Sequence, residues 1–132
     1  MVYLQAKYVN EMFNHAFQDD PNECCGILAG ESGEVKKLYR MTNPEASPYR
    51  YRMDSKELLN VYNEIDDQGW EILAIYHSHT HSEAYPSATD IRLATWADSL
   101  YLLISLLDKQ KPILRAIHIQ NGEVSEESIE TD

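Results

Sequence analysis

Three histidines alternate in the segment His77-Ser78-His79-Thr80-His81, directly after the apolar run 72–76. Alternate residues of a strand point to one face, so a strand that continues through this segment brings His77 and His79 together. Asp90, in the first turn of a predicted helix, can reach back toward them as a carboxylate. Two imidazoles, one carboxylate and an open position are typical of a catalytic zinc site, where the metal lowers the pKa of its water molecule to about 7.

Hydrolysis at such a site also needs a base that does not bind the metal. Glu23 is the preferred candidate, because it directly precedes an apolar run at 25–30 that could pair with the run at 72–76. The hydroxyl of Ser87, near Asp90, could donate a hydrogen bond to the oxygen of a tetrahedral intermediate. Ser87 and Asp90 also match a helix N-cap box, and the two roles are compatible.

The spacing of apolar residues predicts the elements that must hold these side chains. Helical periodicity and capping residues predict helices at 4–18, 55–68 and 87–99. Apolar runs predict strands at 25–30, 35–41, 49–53, 72–76, 100–107 and 113–119. Asn121-Gly122 is typical of a hairpin turn that leads into Val124. This order predicts the α/β fold class, with a single domain in which one mixed β-sheet is flanked by helices.

Length and charge limit the classes of function. A chain of 132 residues suffices for one domain with a hydrophobic core. The formal net charge of −11 argues against nucleic acid or an anionic membrane as the main partner. No apolar run approaches the roughly 20 residues of a membrane-spanning helix, and the first residues lack the pattern of a signal peptide. Cys24 and Cys25 are adjacent, which disfavours a disulfide between them. These features favour a cytoplasmic protein.

The candidate residues also carry a resemblance to a known family. Glu23-Cys24-Cys25-Gly26-Ile27-Leu28-Ala29-Gly30 is followed by His77-Ser78-His79, seven residues, and then Ser87-Ala88-Thr89-Asp90. This pattern resembles the JAMM/MPN-plus zinc metalloprotease family over nearly the whole chain, and its short form resembles the prokaryotic stand-alone members. The resemblance implies a fold similar to that of cytidine deaminases, a Zn²⁺ ion held by His77, His79 and Asp90, Glu23 as the base that activates water, and Ser87 as the residue that stabilises the intermediate.

The resemblance further implies hydrolysis of the amide bond after the C-terminal glycine of a ubiquitin-like sulfur-carrier protein. It assigns residues 1–122 to the metalloprotease domain and leaves 123–132 as an acidic C-terminal strand or tail. A cysteine adduct, a lysine isopeptide and a C-terminal extension all present the same amide bond, so the substrate stays open. The basic segment Lys36–Lys56 is a possible docking site for an acidic carrier. Thr80 stands where the family usually has proline, and the roles of His81 and Glu83 stay open.

Two other functions match parts of the pattern. A catalytically inactive MPN scaffold would lack one or more of the metal ligands, whereas this chain has them all. A cupin-type metal protein would use the spacing of His77, His79 and Glu83, with His118 as a fourth ligand. Cupins require a mostly β barrel with many glycine turns, and this chain has only 5 glycines and three predicted helices.

Overall fold

The computed structural model describes residues 1–94 and 98–132. Its helices are α1 (Ala6–Asp19), α2 (Ser55–Asp67) and α3 (Ala88–Leu93). Its strands are β1 (Val2–Leu4), β2 (Cys25–Glu31), β3 (Glu34–Met41), β4 (Glu71–His79), β5 (Leu100–Ser105), β6 (Ile113–Gln120), β7 (Glu123–Glu127) and β8 (Ile129–Thr131).

Six of the strands form one mixed sheet in the order β3-β2-β4-β5-β6-β7, in which only β4 and β5 are parallel neighbours. The buried side of α1 packs on one face of this sheet, where Met12 lies in a core cluster with Leu28 and Leu102. On the opposite face, Ile65 of α2 lies in a cluster with Ile27. The predicted α/β fold, a mixed sheet flanked by helices, is therefore confirmed.

The pairing of β2 with β4 brings the two halves of the sequence motif together. The sequence predicts that these two apolar runs are neighbours, and the structure shows that they pair antiparallel, with Cys25 opposite His77. Two hydrogen bonds extend the pairing beyond the start of β2: the Cys24 N–H donates to Ser78 Oγ at 2.8 Å, and the Ser78 N–H donates to the Cys24 carbonyl at 3.1 Å. This register carries Glu23 toward the end of β4 that holds the histidines.

A glycine in β2 is required by the packing of its neighbour. Gly26 lies opposite Tyr76, and a Cβ atom at Gly26 would stand 2.0 Å from the Tyr76 ring. Because Gly26 has no side chain, the ring lies across β2, and its hydroxyl reaches Nδ1 of His15 at 2.7 Å. This hydrogen bond between two buried residues, Tyr76 on β4 and His15 on α1, joins the sheet to the helix that packs on it.

Local signals in the sequence define several element ends. The Asp54 side chain accepts a hydrogen bond from the Glu57 N–H at the start of α2, and Gly69 follows the end of that helix with φ +74°. Asn121 and Gly122 both have positive φ, 53° and 78°, as a tight hairpin turn between β6 and β7 requires. The predicted second helix and the predicted hairpin are both confirmed.

The strand predicted at 49–53 is wrong, because these residues lie in the loop between β3 and α2. The Asn43 side chain provides the hydrogen bonds that a neighbouring strand would otherwise supply. Its amide nitrogen donates to the carbonyls of Glu23 and Arg50, and its oxygen accepts from the N–H groups of Glu45 and Arg52. A side chain that satisfies the backbone in this way competes with regular pairing.

Two further differences concern the ends of the chain and the third helix. The helix predicted at 87–99 ends at Leu93, and residues 95–97 of that prediction lie outside the described residues. β1 was not predicted; it pairs in parallel with β8. The acidic segment forms two strands, β7 and β8, and β7 is hydrogen-bonded to β6. The predicted boundary between a domain at 1–122 and a tail at 123–132 stays a prediction. None of the helices within the described ranges has the length and apolar character needed to cross a membrane.

Candidate active site

The two motif histidines lie at the C-terminal end of β4, which extends through His79 rather than stopping at residue 76. Strand alternation turns both side chains to the α2 face of the sheet, and both are buried. Their Nε2 atoms approach each other to 3.2 Å. The structure therefore brings the side chains of His77 and His79 together.

The start of α3 brings a carboxylate to the same point. Ser87 Oγ accepts the Asp90 N–H at 3.0 Å, and Asp90 Oδ2 accepts the Ser87 N–H at 2.9 Å, so the N-cap box is complete. The same Asp90 oxygen lies 3.2 Å from His77 Nε2 and 3.0 Å from His79 Nε2. Because the cap fixes its position, Asp90 is held against the histidine pair by the geometry of the helix end.

These three atoms have the chemistry and spacing of a metal-binding set. Their mutual separations are 3.2, 3.2 and 3.0 Å. Ligands of a tetrahedral zinc ion, with bonds of about 2.0–2.1 Å, stand about 3.3–3.4 Å apart, so a small adjustment would accommodate the ion. His79 Nδ1 lies 2.8 Å from the carbonyl of Glu83, which can only accept. In neutral His79, Nδ1 therefore carries the proton, and Nε2 offers a free lone pair to a metal.

Glu23 lies close to His77 and His79 but forms none of the short contacts that join them to Asp90. One carboxylate oxygen of Glu23 and one ring nitrogen each of His77 and His79 lie within 4.8 Å of one another. The side chain is only 4% exposed, and Oε1 has no hydrogen-bond partner among the described residues. The Glu23 main chain is held on both sides, since its N–H donates to Ser47 and its carbonyl accepts from Asn43. A buried carboxylate oxygen without a partner, near three potential ligands, can serve as a base or as a fourth ligand.

Burial and neighbouring charges shift the pKa values of the site residues in different directions. Burial opposes ionisation of Asp90, yet its hydrogen bonds with His77 and His79 hold its pKa far below the usual range. Burial lowers the pKa of His77, and the neighbouring Asp90 only partly offsets this. Burial raises the pKa of Glu23 to about 8, while His79 lowers it and Asp90 raises it. The site therefore combines an ionised carboxylate with a carboxyl that can exchange a proton near neutral pH.

The two histidines are held by different contacts. His79 is oriented by its hydrogen bond to the Glu83 carbonyl, whereas the buried Nδ1 of His77 has no hydrogen-bond partner among the described residues. The ring of Tyr51 instead stacks on His77, with ring centroids 4.4 Å apart and an angle of 26° between the planes. Metal-binding histidines are usually oriented through their second nitrogen. Stacking on Tyr51 supplies that orientation for His77.

Sequence reasoning missed three of the residues that support the site. Tyr51 was assigned to a strand, and no local signal indicated that its ring contacts His77. Asn43 carried a recognisable signal, because asparagine before a proline is typical of a turn, but not one that pointed to Glu23. Ser78 lies between the two histidines in the sequence, but nothing there indicates its partner. Its hydrogen bond to Cys24 depends on a strand pairing between residues 54 positions apart.

The remaining candidates lie around the site or away from it. His81 is exposed, and its Nδ1 lies 2.8 Å from Thr80 Oγ1. Glu83 is exposed and contributes its carbonyl to His79. His118 lies 2.6 Å from Glu127. The cupin interpretation is wrong, because His118 is paired elsewhere and the sheet is open and flanked by helices. Both cysteines, Cys24 and Cys25, are buried and free.

Comparison with known proteins agrees with this fold. Residues 5–119 match the family described as prokaryotic homologs of the JAB domain. The chain is 44% identical over 131 residues to the CysO-cysteine peptidase of Mycobacterium tuberculosis, covering 98% of this chain and 90% of that protein. It is 37% identical over 109 residues to the desampylase of Haloferax volcanii, covering 77% and 78% of the two chains. A solution structure from Desulfitobacterium hafniense superposes with a TM-score of 0.88 at 38% identity, covering 100% of this chain and 93% of that one. The family resemblance of the sequence motif is thus confirmed, and the chain belongs to the prokaryotic homologs of the JAB domain.

Proposed function

We propose that this protein is a zinc-dependent peptidase that hydrolyses the amide bond after the C-terminal glycine of a ubiquitin-like sulfur-carrier protein. The observation that carries the proposal is the triangle of His77, His79 and Asp90 atoms with the buried Glu23 carboxylate beside it. The relatives named as a CysO-cysteine peptidase and a desampylase support a hydrolase. Cysteine is the leaving group that we propose first, because the M. tuberculosis relative, whose match covers nearly the whole chain, is named a CysO-cysteine peptidase.

The proposed ligands of the metal are His77, His79 and Asp90, and their donor set favours zinc over the hard cations that prefer all-oxygen sites. When bound, zinc would act as a Lewis acid and lower the pKa of a water molecule to about 7. Asp90 supplies a negative charge, and the capped start of α3 fixes that charge before any substrate arrives. The cap thereby holds Asp90 within a small adjustment of the position that it would take as a ligand.

In the proposed reaction, Glu23 moves the proton. Its carboxylate accepts a proton from the attacking water as the new C–O bond forms at the glycine carbonyl. It then delivers this proton to the amide nitrogen as the C–N bond breaks, which leaves a free amine and a glycine carboxyl group. The second proton of the water stays on the new carboxyl group and is released to solvent as the carboxylate forms. Glu23 Oε1 has no hydrogen-bond partner in the part of the chain that the structure describes, which supports this role because the oxygen is available to a water molecule.

Ser87 is proposed to stabilise the oxygen of the tetrahedral intermediate. Its Oγ accepts the Asp90 N–H, so the hydroxyl hydrogen is not used by the helix cap. Ser87 is exposed at the end of the site, where a substrate can approach it. The cap thus orients the hydroxyl and leaves its proton free to donate to a developing negative charge.

The proposal is tested by following the mass of the substrate. The zinc-loaded protein is incubated with a ubiquitin-like carrier from its own genome that bears cysteine in amide linkage on its C-terminal glycine. We expect the carrier to lose the mass of one cysteine residue, and chelation of the metal to prevent this until zinc is restored. A lysine isopeptide and a C-terminal extension are compared in parallel. Unchanged masses for all three substrates would contradict the proposal.

The stacked ring of Tyr51 provides a second test of the site. We expect Tyr51→Leu to weaken zinc binding by roughly 10-fold or more, within the 10–100-fold range found when a support of a metal ligand is lost. Tyr51→Phe keeps the ring and should bind zinc as the unaltered protein does. Competition with a chromogenic chelator measures both affinities. Equal dissociation constants for the two variants would show that stacking on His77 does not support the metal.

A further inference from the structure

A cavity of about 190 Å³ adjoins the proposed metal ligands, and its wall includes His77 and Asp90. Its deeper side is formed by buried apolar residues, among them Ile75, Leu103 and Ile119. An apolar cavity of about 150 Å³ accommodates benzene, so this one has room for a single branched aliphatic or aromatic side chain. The site therefore has an apolar compartment that the hydrolytic residues do not require.

The rim of this cavity is basic. Among its lining residues, Arg50 and Arg52 are exposed and therefore lie at the surface end. Arg50 forms no ion pair with the residues that the structure describes, and Arg52 Nε lies 3.7 Å from Glu45. Two guanidinium groups thus stand at the opening of an apolar cavity with little internal neutralisation.

The rest of the basic segment does not share this position. Lys36, Lys37 and Arg40 lie on β3 and form ion pairs with Glu34, Glu64 and Glu11 respectively. None of these three bases lines the cavity, and neither does Lys56 in the first turn of α2. The charge available to an acidic substrate at the site is therefore that of Arg50 and Arg52 rather than that of the whole segment Lys36–Lys56.

The direction of the substrate follows from the proposed reaction. Glu23 delivers a proton to the leaving nitrogen, so the leaving group lies on the Glu23 side of the ligand set. The wall of the cavity contains His77 and Asp90 but not Glu23. The acyl side of the substrate, which is the carrier tail, therefore extends toward the cavity. Because glycine has no side chain, a residue that precedes the terminal glycine must fill it.

We infer that the cavity selects a carrier tail with a large apolar side chain upstream of its terminal glycine and an acidic residue within two positions of that side chain. The inference rests on the proposed function. In an extended tail, residues advance about 3.3 Å each, so such an acidic side chain comes within reach of the long side chains of Arg50 and Arg52. The apolar residue provides affinity, and the arginines discriminate against a basic tail.

The test uses carrier–cysteine adducts that differ only in the tail. One tail carries leucine and glutamate, one carries alanine in place of the leucine, and one carries lysine in place of the glutamate. We expect kcat/KM to fall about 10- to 100-fold with alanine, as for loss of a side chain from an apolar pocket, and roughly five-fold with lysine at the exposed rim. Arg50→Glu should reverse the preference between glutamate and lysine. Lys36→Glu, a matched charge reversal outside the cavity, should not.

Each outcome separates the inference from the proposed function. Cleavage of all tails with equal kcat/KM would overturn the inference and leave the peptidase proposal standing, whereas no cleavage of any tail would contradict the peptidase proposal itself. A parallel substrate with cysteinamide as the leaving group identifies the anion that Arg50 contacts. If the effect of Arg50→Glu disappears with cysteinamide, Arg50 binds the carboxylate of the leaving group, and the tail assignment is wrong.

Discussion

Replacement of Glu23 by glutamine should reduce kcat by roughly 10²–10⁴-fold, the usual contribution of a general base, while one equivalent of zinc remains bound. Glutamine preserves the size of the side chain but cannot accept the proton of the attacking water. The carboxylate of Glu23 lies near the histidines but outside the tight triangle they form with Asp90. Single-turnover rates on a carrier–cysteine adduct, with metal content from elemental analysis, measure both quantities.

The same variant distinguishes a base from a ligand. If Glu23 were a fourth ligand, Glu23→Gln would lose zinc together with activity, and the proposed mechanism would be wrong. Full activity in the variant would contradict both roles. Glu71→Gln is the matched control, because Glu71 is an exposed glutamate at the distant end of β4. It should retain the kcat and the zinc content of the unaltered protein.

Replacement of His77 by alanine should abolish both metal binding and turnover. Loss of a residue that merely supports a ligand weakens metal binding 10–100-fold, so loss of a ligand should weaken it by more than about 100-fold. We expect zinc to be absent from His77→Ala after dialysis and peptidase activity to fall to background. Retention of one zinc per chain would contradict the ligand assignment.

Because His77 is fully buried, its removal could also disturb the fold, and two further variants address this. His118→Ala removes a histidine that is paired with Glu127 away from the site, and it should keep zinc and activity. Asp90→Asn keeps a side-chain oxygen that can accept the Ser87 N–H in the cap box of α3, but it removes the charge that faces both imidazoles. It should lose zinc while the far-ultraviolet circular dichroism spectrum stays unchanged.

The convergence of His77, His79 and Asp90 was predictable because it depends on short segments of the sequence. The alternation of His77 and His79 needs only a continuous strand, and the spacing of Ser87 and Asp90 needs only one helical turn. Both requirements depend on residues within a few positions of each other. The Asp54 cap, the Gly69 helix end and the Asn121-Gly122 hairpin were predictable for the same reason, since each depends on backbone angles that its own residues favour.

The segment at 49–53 could not be predicted in this way. Its apolar and aromatic residues are compatible with a strand, but the Asn43 side chain takes the hydrogen bonds of Arg50 and Arg52 and holds the segment as a loop. That loop brings Tyr51 onto His77 and places two arginines at the rim of the cavity. Hydrogen bonds between a side chain and a distant backbone leave no periodic signal in the sequence.

The sequence by itself determined the α/β class and the family and predicted the ligand set and the base candidate, because these depend on residue identity and on the order of the motif along the chain. Only the tertiary structure decided which groups surround the site. The antiparallel register of β2 with β4 brought Glu23 beside His79. The ring of Tyr51 stacked on His77 and took the place of a hydrogen bond to it. The charge of the basic segment was divided between ion-paired residues on β3 and the arginines at the rim of the cavity. Each of these depends on contacts between residues far apart in the chain, and such contacts are selected by the packing of the whole sheet rather than by local preference.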